Sequence, residues 1–289
     1  MGTFARLGFV FANSLAIACA QSSPQGVIDA ARAAEQSAGV RPTGNFSHHD
    51  SRVSAYFRCY YTGTLELPGS YDSLKLRQGT RDGCSLDYEK YDVFFYPIEA
   101  VASGHSPITE ALEKAAPERI AMLVPHEDFH SQIEALPDRI AEAAATLAGF
   151  LVPSLEADAE LFLQKSLIVN RHYDELRAVY QGKLPKRSAL EKKQAIFAAI
   201  DRECAAIQGE PRSFNKRLSA SNNAGLAFDY TYTKYYPLLY KVWMGCSRDS
   251  KCAVGAMLNA PKKRSEQETA AYFQALIQRQ TGAGSDPYR

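Results

Sequence analysis

The chain has almost no net charge: 33 Lys and Arg stand against 32 Asp and Glu. That balance removes the electrostatic basis for binding nucleic acid or an anionic membrane surface. There is no Cys-x-x-Cys pair, so neither a thiolate zinc site nor a thioredoxin-like redox site is expected. Internal repeats, low-complexity tracts and long linkers are also missing, which favours one compact unit. The expected partner is therefore a small or neutral molecule.

What is present begins with enough apolar material for a sizeable core, since 46% of the 289 residues are hydrophobic. The first twenty residues carry Arg6 as their only charge, then the apolar run LGFVFANSLAIACA, interrupted by Asn13. The run is too short to span a bilayer, and Ala18-Cys19-Ala20 has the form of a cleavage site, so residues 1–20 read as an export signal. Two processing outcomes compete: release after Ala20, or a lipid anchor on Cys19. A buried N-terminal helix is the rival reading. Export would place the chain in the periplasm or anchored in the cell envelope, where cysteines oxidise. Cys246 and Cys252 lie close together, and Cys59 and Cys84 flank a hairpin region. Two local bridges are expected, with Cys204 left as a buried inert thiol on an apolar helix.

Residues 52–62 and 91–99 are rich in aromatic and β-branched residues and predict strands. From about Pro125 onward apolar residues recur at helical spacing, as in Ile140, Ala144, Leu147 and Leu151. The expected fold is α+β, a small mixed sheet packed on a larger, mostly helical part. Residues 21–124 would form the mixed part, with an edge strand beside the substrate, and residues 125–289 the helical part.

Within LVPHEDFHSQ, His126, Glu127 and His130 form H-E-x-x-H. On a helix, residues four apart share a face, so both rings can address one ion while Glu127 stands beside it to take a proton from water. Pro125 is expected at the first helical position, which needs no intrahelical donor. A third ligand must come from elsewhere. Glu134 extends the same face, but three ligands strung over two turns span about 11 Å and cannot converge on one ion. Glu142 follows a break at Leu136-Pro137-Asp138, and its helix face of Ala145, Thr146 and Gly149 is small enough for close packing. That favours it over Glu156 and Glu160 on a more polar helix, although Glu160, thirty residues past His130, stays a competitor.

From about residue 91 onward the chain resembles the bacterial predicted aminopeptidases, H-E-x-x-H zinc-peptidase-like proteins usually exported or lipid-anchored. The resemblance rests on HEDFH, IAEAAATLAGF, AVYQGKLPKRSALEKKQAIFAAI and NNAGLAFDYTYTKYYP. It implies a zincin-like helical part, zinc as cofactor, His126, His130 and Glu142 as ligands, and Glu127 as general base. Asn222, Asn223 and Tyr232 fall on the family's recurrent downstream positions, the asparagines as substrate contacts. The chain departs from the family at Asp128, Phe129 and Ala141, and over its first 90 residues. Asp128 would place an extra carboxylate near the metal.

The expected function is a zinc-dependent peptidase, an aminopeptidase by resemblance, acting on peptide substrates through activated water. Tyr232 would donate to the oxyanion. The alternatives are another zinc amide hydrolase, such as a cell-wall peptide amidase, and an envelope binding protein that kept the fold without turnover. His48, His49, His105 and His172 are expected at the surface, and the tyrosines of 230–240 mainly in packing.

Overall fold

A computed structural model describes residues 23–50, 52–101 and 104–282; the signal reading and Cys19 lie outside them. The chain runs α1 (Pro24–Ser37), β1 (Tyr56–Gly63), a 3₁₀ turn (Tyr71–Ser73), β2 (Lys75–Gln78), β3 (Tyr91–Ile98) and α2 (Glu110–Glu113). The rest is helical: α3 (Pro117–Ile133), α4 (Asp138–Phe150), α5 (Glu156–Gln181), α6 (Lys186–Ala206), α7 (Asn223–Thr233), α8 (Tyr236–Gly245), α9 (Ser250–Leu258) and α10 (Glu266–Gly282). The fold is α+β.

The sheet has the order β2-β1-β3 and is antiparallel throughout, not mixed as expected. β1 pairs with β3 along its whole length, from Tyr56 opposite Ile98 to Gly63 opposite Tyr91. β2 was not legible in the sequence. Its four residues, KLRQ, are all exposed, so no buried face imposes an apolar alternation on them. On one face of the sheet Tyr60 and Phe94 pack against Ala224 and Ala227 of α7. The cysteines pair as expected: Cys59 with Cys84 and Cys246 with Cys252, with Cys204 free and buried. Two disulfides indicate an oxidising, exported compartment. Among the described residues no single helix is long and apolar enough to cross a membrane.

α3 begins at Pro117, eight residues before the expected start, and Pro125 lies inside it. The expected division at residues 124 and 125 therefore falls within a helix. Proline there removes one backbone hydrogen bond, a cost of about 3 kcal/mol. Residues Ile120 to Phe129 are buried without interruption, and each fully buried Leu, Ile, Met or Phe returns roughly 1.5–3 kcal/mol. Packing on all sides thus outweighs the local rule. The main core joins α1, α3, α4, α8, α9 and α10, so the N-terminal helix belongs to the same body as the helical part. The apolar run 222–243 is two helices, because Pro237 at the start of α8 has no donor to continue α7.

Candidate metal centre

The loop Glu134–Pro137 turns the chain back on itself, with the Pro137 carbonyl accepting from Ile140 (2.8 Å) and Ala141 (2.9 Å) at the start of α4. α4 lies against α3 closely enough that a Cβ on Gly149 would come within 2.5 Å of the Met122 carbonyl oxygen. Only glycine permits that approach. The small-residue face read from the sequence is thus the contact face, and it carries Glu142 to the two histidines.

The three groups converge. Nε2 of His126 and Nε2 of His130 are 3.2 Å apart. Oε2 of Glu142 lies 3.6 Å from the first and 3.3 Å from the second. His126 and Glu142 are buried, and His130 is 16% exposed at its side chain. Burial, together with His130, pushes the His126 pKa down to about 3, so its ring is neutral. Burial works against charge on His130 and Glu142 too. There the mutual attraction wins, raising the histidine and lowering the carboxylate. Yet Oε2 of Glu142 is buried with no aligned donor. Two ring nitrogens and a carboxylate oxygen, all able to offer lone pairs, face one another in a space that a cation would satisfy. These residues could hold a metal ion.

Glu127 is 8% exposed and no hydrogen bond from the described residues reaches its carboxylate. Burial, with the charges of Glu142 and Asp128 adding, lifts its pKa to about 7 against the pull of His130 and Arg119. A carboxyl poised near neutrality can both take and return a proton. The Tyr232 ring lies 6.3 Å from that of His126, and burial and Glu142 hold its phenol well above its ordinary pKa, as a proton donor.

One contact was missed at the sequence level. Tyr71, in the 3₁₀ turn between β1 and β2, donates to Oε1 of Glu142 at 2.9 Å and stacks on Tyr232 at 6.2 Å. It lies in the stretch where the family resemblance is weakest, and a single tyrosine in a loop carries no spacing signal.

Other expectations end elsewhere. Glu156 and Glu160 are exposed on α5 and Glu134 is exposed at the end of α3, so none joins the cluster. Asp128 points away from it, accepting from Thr43 and from Asn45 (2.9 Å), and so fastens the 41–45 segment to α3. Asn222 caps α7 by accepting from Gly225 (3.0 Å) and donates to the Val93 carbonyl (2.9 Å). Asn223 is fully buried, donating to the Thr64 and Glu66 carbonyls and accepting from Tyr180. Both asparagines are occupied by the protein, about 14–15 Å along α7 from Tyr232. His48, His49 and His105 are exposed. His172 is buried, contrary to expectation, between Glu175 and Glu203.

Comparison of the chain with family models, curated proteins and solved structures returned no match. The resemblance to the predicted aminopeptidases therefore rests on the sequence phrases that suggested it.

Proposed function

We propose that the protein is a zinc-dependent hydrolase of peptide bonds, with His126, His130 and Glu142 as metal ligands and Glu127 as general base. The observation that carries the reading is the convergence of three lone-pair donors beside a buried carboxyl whose pKa is raised toward neutrality. Ligands bound to zinc at 2.0–2.1 Å in a tetrahedron stand about 3.3 Å from one another, and the separations here are 3.2, 3.3 and 3.6 Å. The two imidazoles and one carboxylate also suit zinc chemically.

Held by His126, His130 and Glu142, a zinc ion would supply Lewis acidity, lowering the pKa of water and polarising a substrate carbonyl. Glu127 takes the proton from the attacking water and delivers it to the departing amine nitrogen. The Tyr232 phenol donates to the oxygen that gains negative charge, worth about 3 kcal/mol when aligned. The α3–α4 packing keeps His126, His130 and Glu127 in register in a buried setting. The disulfides and the N-terminal segment support action in the periplasm, free or anchored through Cys19. Aminopeptidase activity is the form the sequence resemblance favours, with cell-wall peptides as the alternative substrate.

Burial of Glu127 favours one second reading, a metal-stabilised binding protein without turnover. Glu127→Gln separates the two. The hydrolase reading expects full zinc content and loss of hydrolysis across aminoacyl, endopeptide and muropeptide substrates. Equal turnover in variant and wild type would remove Glu127 as base, and no turnover in the wild type would leave the binding protein.

A further inference from the structure

The contact between Tyr71 and Glu142 comes from a segment that is neither helix nor strand, yet is fastened along its length. The Asn223 amide donates to the carbonyls of Thr64 (3.1 Å) and Glu66 (2.9 Å), the Tyr173 hydroxyl to that of Pro68 (3.0 Å), and Arg139 to that of Gly69 (2.9 Å). Arg139 is itself fixed by two 2.6 Å bonds to Glu266 of α10. The Tyr71 backbone N–H donates to Oγ1 of Thr231 at 2.8 Å. With the Lys193 ammonium of α6 donating to the Thr64 carbonyl as well (2.9 Å), four helices, α4, α5, α6 and α7, bond residues 64–71 directly as a strap, and α10 braces it through Arg139. The bonds alternate along the chain and leave little freedom at the residue whose phenol meets Glu142. The phenol engages Oε1 alone, so that Oε2, buried and without an aligned donor, faces both histidines.

We propose that Tyr71 is a positioning residue for the metal: by holding Oε1 it makes Glu142 a one-oxygen ligand through Oε2, and the 64–71 strap exists to aim it. This rests on the metal reading above but not on the peptide substrate. A carboxylate free to rotate can offer both oxygens to an ion or neither at the right angle. The phenol removes that freedom, as the hydrogen-bonded partners of metal ligands do elsewhere. The fold around the aromatic cluster does not need the hydroxyl, since the Tyr71 ring keeps its contacts with Tyr60, Phe228 and Tyr232 in a phenylalanine.

The test is zinc affinity by chelator competition, with the absorption spectrum of the cobalt-substituted protein as a reporter of coordination. Tyr71→Phe should bind zinc roughly 10 to 100 times more weakly and shift the cobalt bands toward higher coordination, while apo thermal stability stays close to wild type. Tyr60→Phe removes a hydroxyl from the same cluster and should change neither affinity nor spectrum. Thr231→Val removes the tether at Tyr71 itself while leaving the phenol, and should weaken zinc binding less than Tyr71→Phe; it carries the test if Tyr71→Phe does not fold. Wild-type affinity and spectrum in Tyr71→Phe, or equal losses in Tyr60→Phe, would overturn the positioning role and leave the ligand set standing. A wild-type protein that binds no divalent ion would overturn both.

Discussion

At the α3–α4 hairpin, His126, His130 and Glu142 direct three ligand atoms to one spot. On α5 and α6, His172 stands between two carboxylates, with Glu175 at 2.7 Å from Nδ1 and Glu203 at 3.1 Å from Nε2. Both clusters combine buried histidine with glutamate, and their geometry is opposite. In the first, a carboxylate oxygen and two ring nitrogens converge to within 3.2–3.6 Å of one another. In the second, each ring nitrogen has its own acceptor and Arg171 pairs with Glu203 as well, so the groups satisfy one another. Residue type does not distinguish a group that could hold a metal ion from a clamp between helices. The direction in which lone pairs point does.

Removing one glutamate from each cluster separates the two most clearly. Glu142→Ala should abolish zinc binding, well beyond the 10 to 100-fold effect of groups that only support a ligand, whereas Glu203→Ala should leave zinc affinity unchanged. Equilibrium dialysis of the two variants gives the answer, and Glu160→Ala in the same series should behave like Glu203→Ala. A smaller effect is expected on packing. Gly149→Ala drives a methyl against the Met122 backbone and should destabilise the fold by about 1–3 kcal/mol, with weaker zinc binding as α4 is pushed from α3. Urea unfolding and zinc titration read the two consequences separately.

The clamp should respond in the reverse manner. His172→Ala is expected to cost about 1–2 kcal/mol, toward the low end because Glu175 and Glu203 are 48% and 41% exposed and can turn to water. Zinc content should not change. Denaturant midpoints that match wild type would show that the cluster contributes nothing to joining α5 and α6.

Glu35 of α1 is another buried carboxyl, and it lies beside Asp128. Burial, and the charge of Asp128 beside it, raise its pKa from the ordinary 4.5 to about 9. The folded chain therefore keeps a proton that the unfolded chain loses above pH 4.5, so this group lowers stability as pH rises from about 4.5 to 9. Glu35→Gln should flatten that slope and gain on wild type more at pH 8 than at pH 5, a modest effect visible in melting temperatures. A difference that does not depend on pH would contradict the assignment.

How far the sequence carried these features follows from which of them are periodic. The H-E-x-x-H spacing, the break at Pro137 and the small face of α4 are local patterns, and together they located Glu142. The long strands β1 and β3 were legible from their aromatic and β-branched content, and the two bridges from cysteine spacing. Pro125 misled, because a proline in a fully buried helix is tolerated only through tertiary packing that no local rule contains. β2 was hidden by its exposure on both faces. Tyr71 and the burial of His172 depend on residues 71 and 31 positions away in the chain, a kind of contact that periodicity cannot express. Asn222 and Asn223 were read as substrate contacts through resemblance, and the structure gives them a cap and a loop anchor.

The most direct test of the metal centre is the metal content of the purified protein, measured by elemental mass spectrometry for wild type and for His126→Ala. Close to one zinc per chain is expected in the wild type and none in the variant, with both chains folded by circular dichroism. A wild type free of divalent metal after growth and purification in zinc, or a His126→Ala chain that retains its zinc, would contradict the zinc reading.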